Sequence, residues 1–250
     1  MKITIHFQPE VGSTNDWAKD LAAAGAPEGT LAVADTQTAG KGRRGRSWKT
    51  AEGTSIAMSL VLRPQIQPEH ASMLTLVMGL SVAQGIRAAT GLKTAIKWPN
   101  DVVANGRKLC GILTEMSSDL TGIRYVVIGT GINVNTPGFP EEIREVATSI
   151  YLELGQKQEK EKVMMAVLEA FTQNYALFLK TEDLQELQAD YDALLINRGR
   201  QVRVLDPKEP FTGIARGITS TGELLVKKED GSVTEVYAGE VSVRGILNYT

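Results

Sequence analysis

The sequence predicts an α+β chain in two parts: a mixed β-sheet covered by helices over residues 1–196, and a small closed β-barrel over residues 197–250. Short apolar runs follow one another with hairpin signals between them, which asks for antiparallel pairing. Two long stretches, Pro68 to Ala89 and Lys160 to Leu195, carry apolar residues at helical spacing with charged outer faces. Beyond Asn197-Arg198-Gly199 the chain breaks into short alternating strands separated by turn dipeptides.

In chain order, Ser13-Thr14-Asn15-Asp16 offers capping side chains for a helix over Trp17 to Ala24, with Gly25 placed to end it. Leu31 to Ala34 reads as a buried strand leading to Gln37, and Ser55 to Leu62 as the next strand. Pro68-Glu69 opens a long helix stopped by Gly91, with Met73, Leu76, Val77 and Leu80 on its apolar face. Ala95 to Trp98 is a strand running into the turn Pro99-Asn100-Asp101. Val102 to Ala104 and Lys108 to Leu113 then flank the hairpin pair Asn105-Gly106. Tyr125 to Ile128 makes a further strand, expected to break at Gly129 to Asn133. Helical patterns over Glu141 to Leu154 and Lys160 to Leu195 are expected to cover one sheet face. The terminal strands are Gln201 to Val204, Phe211 to Ile218, Glu223 to Lys227 and Val233 to Tyr237. Asp206-Pro207, Thr221-Gly222 and Asp230-Gly231 turn between them.

Composition narrows the function. With 250 residues, 42% of them hydrophobic, the chain can bury a substantial core. Its 27 Lys+Arg against 29 Asp+Glu leave a net charge of −2, so no global basic field recruits nucleic acid. A single cysteine, Cys110, excludes an internal disulfide and a cysteine metal cluster, and points to the cytoplasm; it reads as a buried inert residue. No metal site is predicted. The N-terminus lacks a signal-peptide core, and the apolar stretch Ala71 to Ala83 is too short to span a bilayer.

Against that plain background one segment stands out. Gly40-Lys41-Gly42-Arg43-Arg44-Gly45-Arg46 puts four cations and three glycines into seven positions. Glycines let backbone N–H groups approach bound oxygens, and the cations offset the cost of crowding negative charge into a partly dry site. The glycines also satisfy the dinucleotide-binding pattern, but no helical period follows over Arg46 to Gly53. Thr94-Ala95-Ile96-Lys97 mimics a kinase lysine strand, yet the chain has no His-Arg-Asp and no Asp-Phe-Gly. A solvated basic loop is the plain alternative. It loses to Lys97-Trp98-Pro99-Asn100-Asp101, a second cation-bearing element at a strand end, where sheet-based sites gather ligand groups.

Together, Ser13-Thr14-Asn15, Gln37, the glycine-basic loop with Trp48, Lys97 to Asp101, Lys108 to Glu115 and Gly129-Thr130-Gly131-Ile132-Asn133 resemble, in this order, the biotin protein ligases. These enzymes are also called biotin–acetyl-CoA-carboxylase ligases. The resemblance implies a catalytic domain related to lipoate ligases and class II synthetases, ending in an SH3-like barrel. It also implies two-step chemistry: biotin and ATP, with Mg²⁺, give biotinyl-5′-AMP and pyrophosphate, and a lysine of a biotin carboxyl carrier protein then takes the biotin. By the same resemblance, Lys97 bridges carboxylate and α-phosphate while Arg43 and Arg46 hold phosphate oxygens. Ser13, Thr14, Asn15 and Gln37 bond the ureido ring, Lys41 and Gly42 add backbone contacts, and Trp48 and Asn133 lie on the nucleotide side. Ser13-Thr14 also suits a helix cap, and Gly129 to Asn133 suits either a phosphate cradle or a bent strand end. Trp98 is expected to be structural. Lys41 stands where many family members carry arginine. A homodimer is implied, as is a monofunctional ligase, because few residues precede Ser13.

Overall fold

The computed structural model describes residues 1–48, 52–206, 209–238, 242–245 and 249–250. Lys49 to Ala51, where no helix was expected, and Pro207 of the Asp206-Pro207 turn lie outside the described residues. The first part runs β1 (Thr4–Val11), α1 (Thr14–Ala23), β2 (Thr30–Gln37) and β3 (Ser55–Leu62). A short 3₁₀ segment, Pro68–Met73, leads into α2 (Leu74–Thr90). Next come β4 (Ala95–Lys97), β5 (Asp101–Ala104), β6 (Arg107–Asp119) and β7 (Gly122–Asn133), then α3 (Ile150–Leu154), α4 (Lys160–Thr181) and α5 (Gln188–Leu194). The terminal strands are β8 (Gln201–Leu205), β9 (Phe211–Ile218), β10 (Leu224–Lys227), β11 (Val233–Val236) and β12 (Ser242–Gly245).

Seven strands form a mixed sheet in the order β1-β2-β3-β7-β6-β5-β4. Only β1 and β2 run parallel; every later pair is antiparallel, as the hairpin signals required. Asn105 and Gly106 both take positive φ at the β5–β6 turn, and Gly91 ends α2 with φ 72°. Successive side chains of a strand point to opposite faces. Leu60, Leu62, Val126 and Ile128 accordingly join the large core under α2 and α4, while Val61 and Val127 pack with Ala18 and Ala22 of α1. α4 thus covers one face together with α2, as expected of the later helical stretch, and α1 covers the other.

Other expectations are corrected. β7 does not break at Gly129: residues Gly129 to Asn133 stay in the strand because β3 and β6 pair with them from both sides. Ordered helix before Ile150 is absent from 141–149, and the second helical stretch is split where Glu182 turns to φ 56°. Ser13 takes the cap position of α1 without a side-chain cap bond. The terminal strands make a five-stranded antiparallel sheet, β11-β10-β9-β8-β12, and among the described residues no pairing joins β11 to β12. β1 was not read from the sequence. The helical segment Pro68–Thr90 is long and apolar enough by composition to cross a membrane, contrary to the short stretch expected. It is largely buried against the sheet and α4, as a core helix is.

α2 and α4 approach closely at Gly85, where an added Cβ would stand 2.6 Å from the Val167 backbone. Gly85→Ala should therefore destabilise the fold by about 2 kcal/mol despite its gain in helix propensity. A thermal melt should fall by roughly 4–8 °C; an unchanged melt would refute the close-packing account. The two sheets are joined behind the Lys97 to Asp101 turn: the buried Trp98 indole N–H donates to the Gly222 carbonyl at 3.0 Å, which gives Trp98 the structural place expected of it.

Candidate functional site

Two cavities open on the α1 side of the large sheet. The first, about 50 Å³, is lined by Ser13, Thr14, Asn15, Gln37, the loop residues Lys41 to Arg43, and Gly111, Leu113, Gly129 and Gly131 from β6 and β7. Its geometry follows from register. Gly129 lies opposite Ser59 and Leu113, and Gly131 opposite Gly111, so glycines from two neighbouring strands form a flat floor on one face. The Trp48 indole rests on that floor. A Cβ added at Gly131 would come within 2.5 Å of its ring, and one at Gly111 within 3.0 Å. The indole Nε1 is buried without a hydrogen-bond partner, a polar edge left for a ligand.

Most polar groups around the first cavity already hold one another. The Thr14 N–H and hydroxyl both donate to Gln37 Oε1, at 2.8 and 3.0 Å, which leaves the Gln37 amide nitrogen free of that pair. Ser59 Oγ lies 2.8 Å from Thr14 Oγ1 and 2.6 Å from Asn15 Oδ1. Asn15 Nδ2 donates to the Leu113 carbonyl and to Glu115 at 2.7 Å. Asn15 is thus consumed in cross-linking α1, β3 and β6. Glu115 also binds Lys19, Lys19 binds Asp16, and Asp16 holds the Lys41 ammonium at 2.7 Å. These half-exposed pairs are individually weak, but they tie the Lys41 ammonium to Asp16 of α1.

The glycine-basic loop is a hairpin. Gly42 N–H donates to the Arg46 carbonyl and Trp48 N–H to the Gly40 carbonyl, with Arg44 turning at φ 59°. Arg43 points inward and donates to Asn100 Oδ1 at 2.9 Å and to the carbonyl of Ala238, next to the terminal sheet. Burial lowers its pKa from the ordinary arginine value.

The second cavity, about 130 Å³, lies between this loop, the Lys97 to Asp101 turn and the chain's C-terminal end. Arg43, Arg44, Arg46, Lys97, Lys108 and Arg244 bring six cations to its wall, against the single carboxylate of Asp101. Such a wall is built for a polyanion. Lys97 is 6% exposed, and burial brings its pKa down to about 8, with Asp101 opposing and Lys108, Arg244 and Arg46 adding to the fall. The Lys108 ammonium lies 2.7 Å from Asp101 Oδ1.

Gly42, Arg43, Trp48, Asn100 and Lys108 line both cavities and so form the partition between them. Of the residues singled out in the sequence, Ser13, Thr14, Asn15, Gln37, Lys41, Gly42, Arg43, Arg46, Trp48 and Lys97 all reach one cavity or the other. Lys97 reaches only the second. Asn133 lines neither: it is buried at the end of β7, donating to the Thr148 carbonyl. Sequence reasoning missed Lys108, Asn100, Arg244 and Tyr249; the first two stood inside quoted segments, but the last two carried no local signal. Cys110 is buried, and burial pushes its thiol pKa up, in keeping with an inert residue. Among the described residues no cluster of three or more His, Cys, Asp or Glu could hold a metal ion.

Comparison with known proteins gives this site a context. Residues 8–133 match the model of the biotin/lipoate A/B protein ligase family, and residues 199–244 match that of the biotin protein ligase C-terminal domain. The chain is 39% identical over 95% of its length to the bifunctional ligase/repressor BirA of Bacillus spizizenii, covering 73% of that protein. It is 35% identical over 93% of its length to the biotin–[acetyl-CoA-carboxylase] ligase of Mycobacterium tuberculosis, covering 86% of that protein. A solved structure of a biotin protein ligase from Aquifex aeolicus, in complex with biotin and ATP, superposes with a TM-score of 0.84 at 31% identity, covering 96% of this chain and 98% of that one.

Proposed function

Because the chain belongs to the biotin/lipoate A/B protein ligase family, we propose that it joins biotin to ATP in the two cavities and passes the biotin to a carrier protein. The observation that carries this reading is the shared partition of Arg43, Asn100 and Lys108. Biotin occupies the glycine-floored cavity, its ureido ring facing Ser13, Thr14 and Gln37, and Trp48 moves from the floor to cover the ligand. ATP lies in the cationic cavity. A biotin carboxylate oxygen attacks the α-phosphorus, the bond to the β-phosphate breaks, and pyrophosphate leaves. The two anions meet at the partition, where Lys108 and Arg43 supply the positive charge that water no longer can. This assigns the bridging role to Lys108. Lys97, Arg46 and Arg244 serve the phosphates. The carrier's lysine amine then attacks the acyl carbon and AMP departs.

Asp101 is the only acidic side chain on the described wall of the second cavity, and Lys108 already engages it. The residues present therefore do not fit a dedicated magnesium cage; the ion would arrive held by phosphate oxygens and water. A division at residues 196 and 197, action in the cytoplasm and a homodimer complete the reading. β5 pairs with β6 only as far as Gly111, with Asn100 bonding the Ile112 backbone, and the β6 edge beyond Ile112 is the surface proposed for a second copy; a monomer mass by light scattering at working concentration would remove the dimer. Incubation with ATP, Mg²⁺, labelled biotin and a carrier domain should yield labelled carrier and pyrophosphate, and the absence of both would overturn the ligase reading.

Lys97 also predicts a pH dependence. A bound triphosphate favours the ammonium, so binding takes up a proton wherever free Lys97 is neutral. ATP affinity should be level below its pKa of about 8 and fall as pH rises above it. Calorimetry across that range should show the break in the parent chain and lose it in Lys97→Met; the same break in both would refute the assignment.

A further inference from the structure

We propose that Tyr249 is an internal occupant of the nucleotide-side cavity, which ATP must displace in order to bind; this rests on the reading that the cavity takes the triphosphate. Tyr249 lies 148 residues from Asp101 in sequence, yet its hydroxyl donates to Asp101 Oδ2. Its ring covers Lys97, with the ammonium 3.7 Å from the ring centroid. Both hosts are nearly buried, Lys97 at 6% and Asp101 at 9% exposure. The last residue is seated too: a Cβ added at Gly106 would stand 3.3 Å from Thr250 Oγ1, which places the end of the chain against the β5–β6 hairpin.

The contacts explain why an aromatic suits this place while the anion is absent. The wall crowds cations around one carboxylate, and an electron-rich ring face is a neutral partner for a desolvated ammonium. The hydroxyl uses one Asp101 oxygen while Lys108 uses the other, so tyrosine and lysine share a single anchor. A triphosphate would need Lys97, whose ammonium the ring now covers. Ring and nucleotide are therefore alternatives, and the apparent affinity for ATP is reduced by the fraction of chains with the tyrosine out. Biotin is unaffected, because Tyr249 does not line the first cavity.

The test is to measure ATP and biotin affinities by calorimetry on the full-length chain, together with the ATP dependence of biotin-driven pyrophosphate release. Tyr249→Ala should bind ATP roughly tenfold more tightly, lower the KM for ATP, and leave kcat and biotin affinity unchanged; Tyr249→Phe, which keeps the ring but not the Asp101 bond, should fall between. A melting curve checks that both variants fold. Unchanged ATP affinity in Tyr249→Ala would overturn the displacement, and weaker ATP binding would overturn it differently, making the tyrosine part of the nucleotide's seat. If the parent chain itself binds no ATP, the assignment of the cavity fails; if the parent binds ATP and only the variant behaviour is wrong, the failure is confined to Tyr249.

Discussion

Lys108→Ala should lower biotin-dependent pyrophosphate release at least ~100-fold, more than any other single cation removed from the site. The reason is position. Lys108 is on the wall of both cavities, where the proposed reaction brings carboxylate and α-phosphate together, whereas Lys97 is on the wall of one. A unit charge ~4 Å from a developing negative charge is worth about 4 kcal/mol at an effective dielectric constant of about 20. Removing it thus accounts for two orders of magnitude or more. Lys97→Ala loses a charge farther from the reacting atoms and should cost about tenfold, chiefly in the KM for ATP. A coupled pyrophosphate assay ranks the two. If Lys108→Ala kept activity within a few-fold of the parent while Lys97→Ala lost more, the bridging role would return to Lys97.

Gly129→Ala should abolish the first cavity with a single methyl group. An added Cβ would stand 1.9 Å from Asn15 Oδ1, and Asn15 cannot yield, since Ser59, Glu115 and the Leu113 carbonyl all hold it. Either those bonds break or β7 shifts against β3 and β6. Overpacking and the lost buried hydrogen bonds together cost about 2–4 kcal/mol, a melting decrease of roughly 4–16 °C. Biotin affinity should fall ~100-fold or more as the floor rises into the ligand's place, about 2.7 kcal/mol of binding. Full biotin affinity in a folded Gly129→Ala chain would show that the ligand does not use this floor.

Those glycines also mark where sequence reading stopped. Gly129 and Gly131 signal a turn locally, so the strand was expected to end at Ile128. Pairing on both sides, invisible in a linear pattern, kept it extended and made the same glycines the floor of the first cavity. The strands β2 to β6 were legible because each buries an apolar run that no other local structure explains. β1 was not, because its side chains are nearly all exposed and leave no alternation of buried and open positions. At the site, the loop cations and Lys97 were legible from their unusual density or position. Lys108 looked like an ordinary strand residue until folding brought it to Asp101 and Trp48. Asn15 shows the converse: its motif marked it as a ligand group, and the fold spends all its polar atoms on protein.

Among the described residues, the Trp98 indole and the Arg43 guanidinium each donate a hydrogen bond to a backbone carbonyl of the C-terminal part, those of Gly222 and Ala238. A carbonyl is present whatever the side chain, so these grips survive substitution at their receiving end. The terminal part can therefore change side chains at these two positions and still hold the glycine-basic loop and the Lys97 to Asp101 turn.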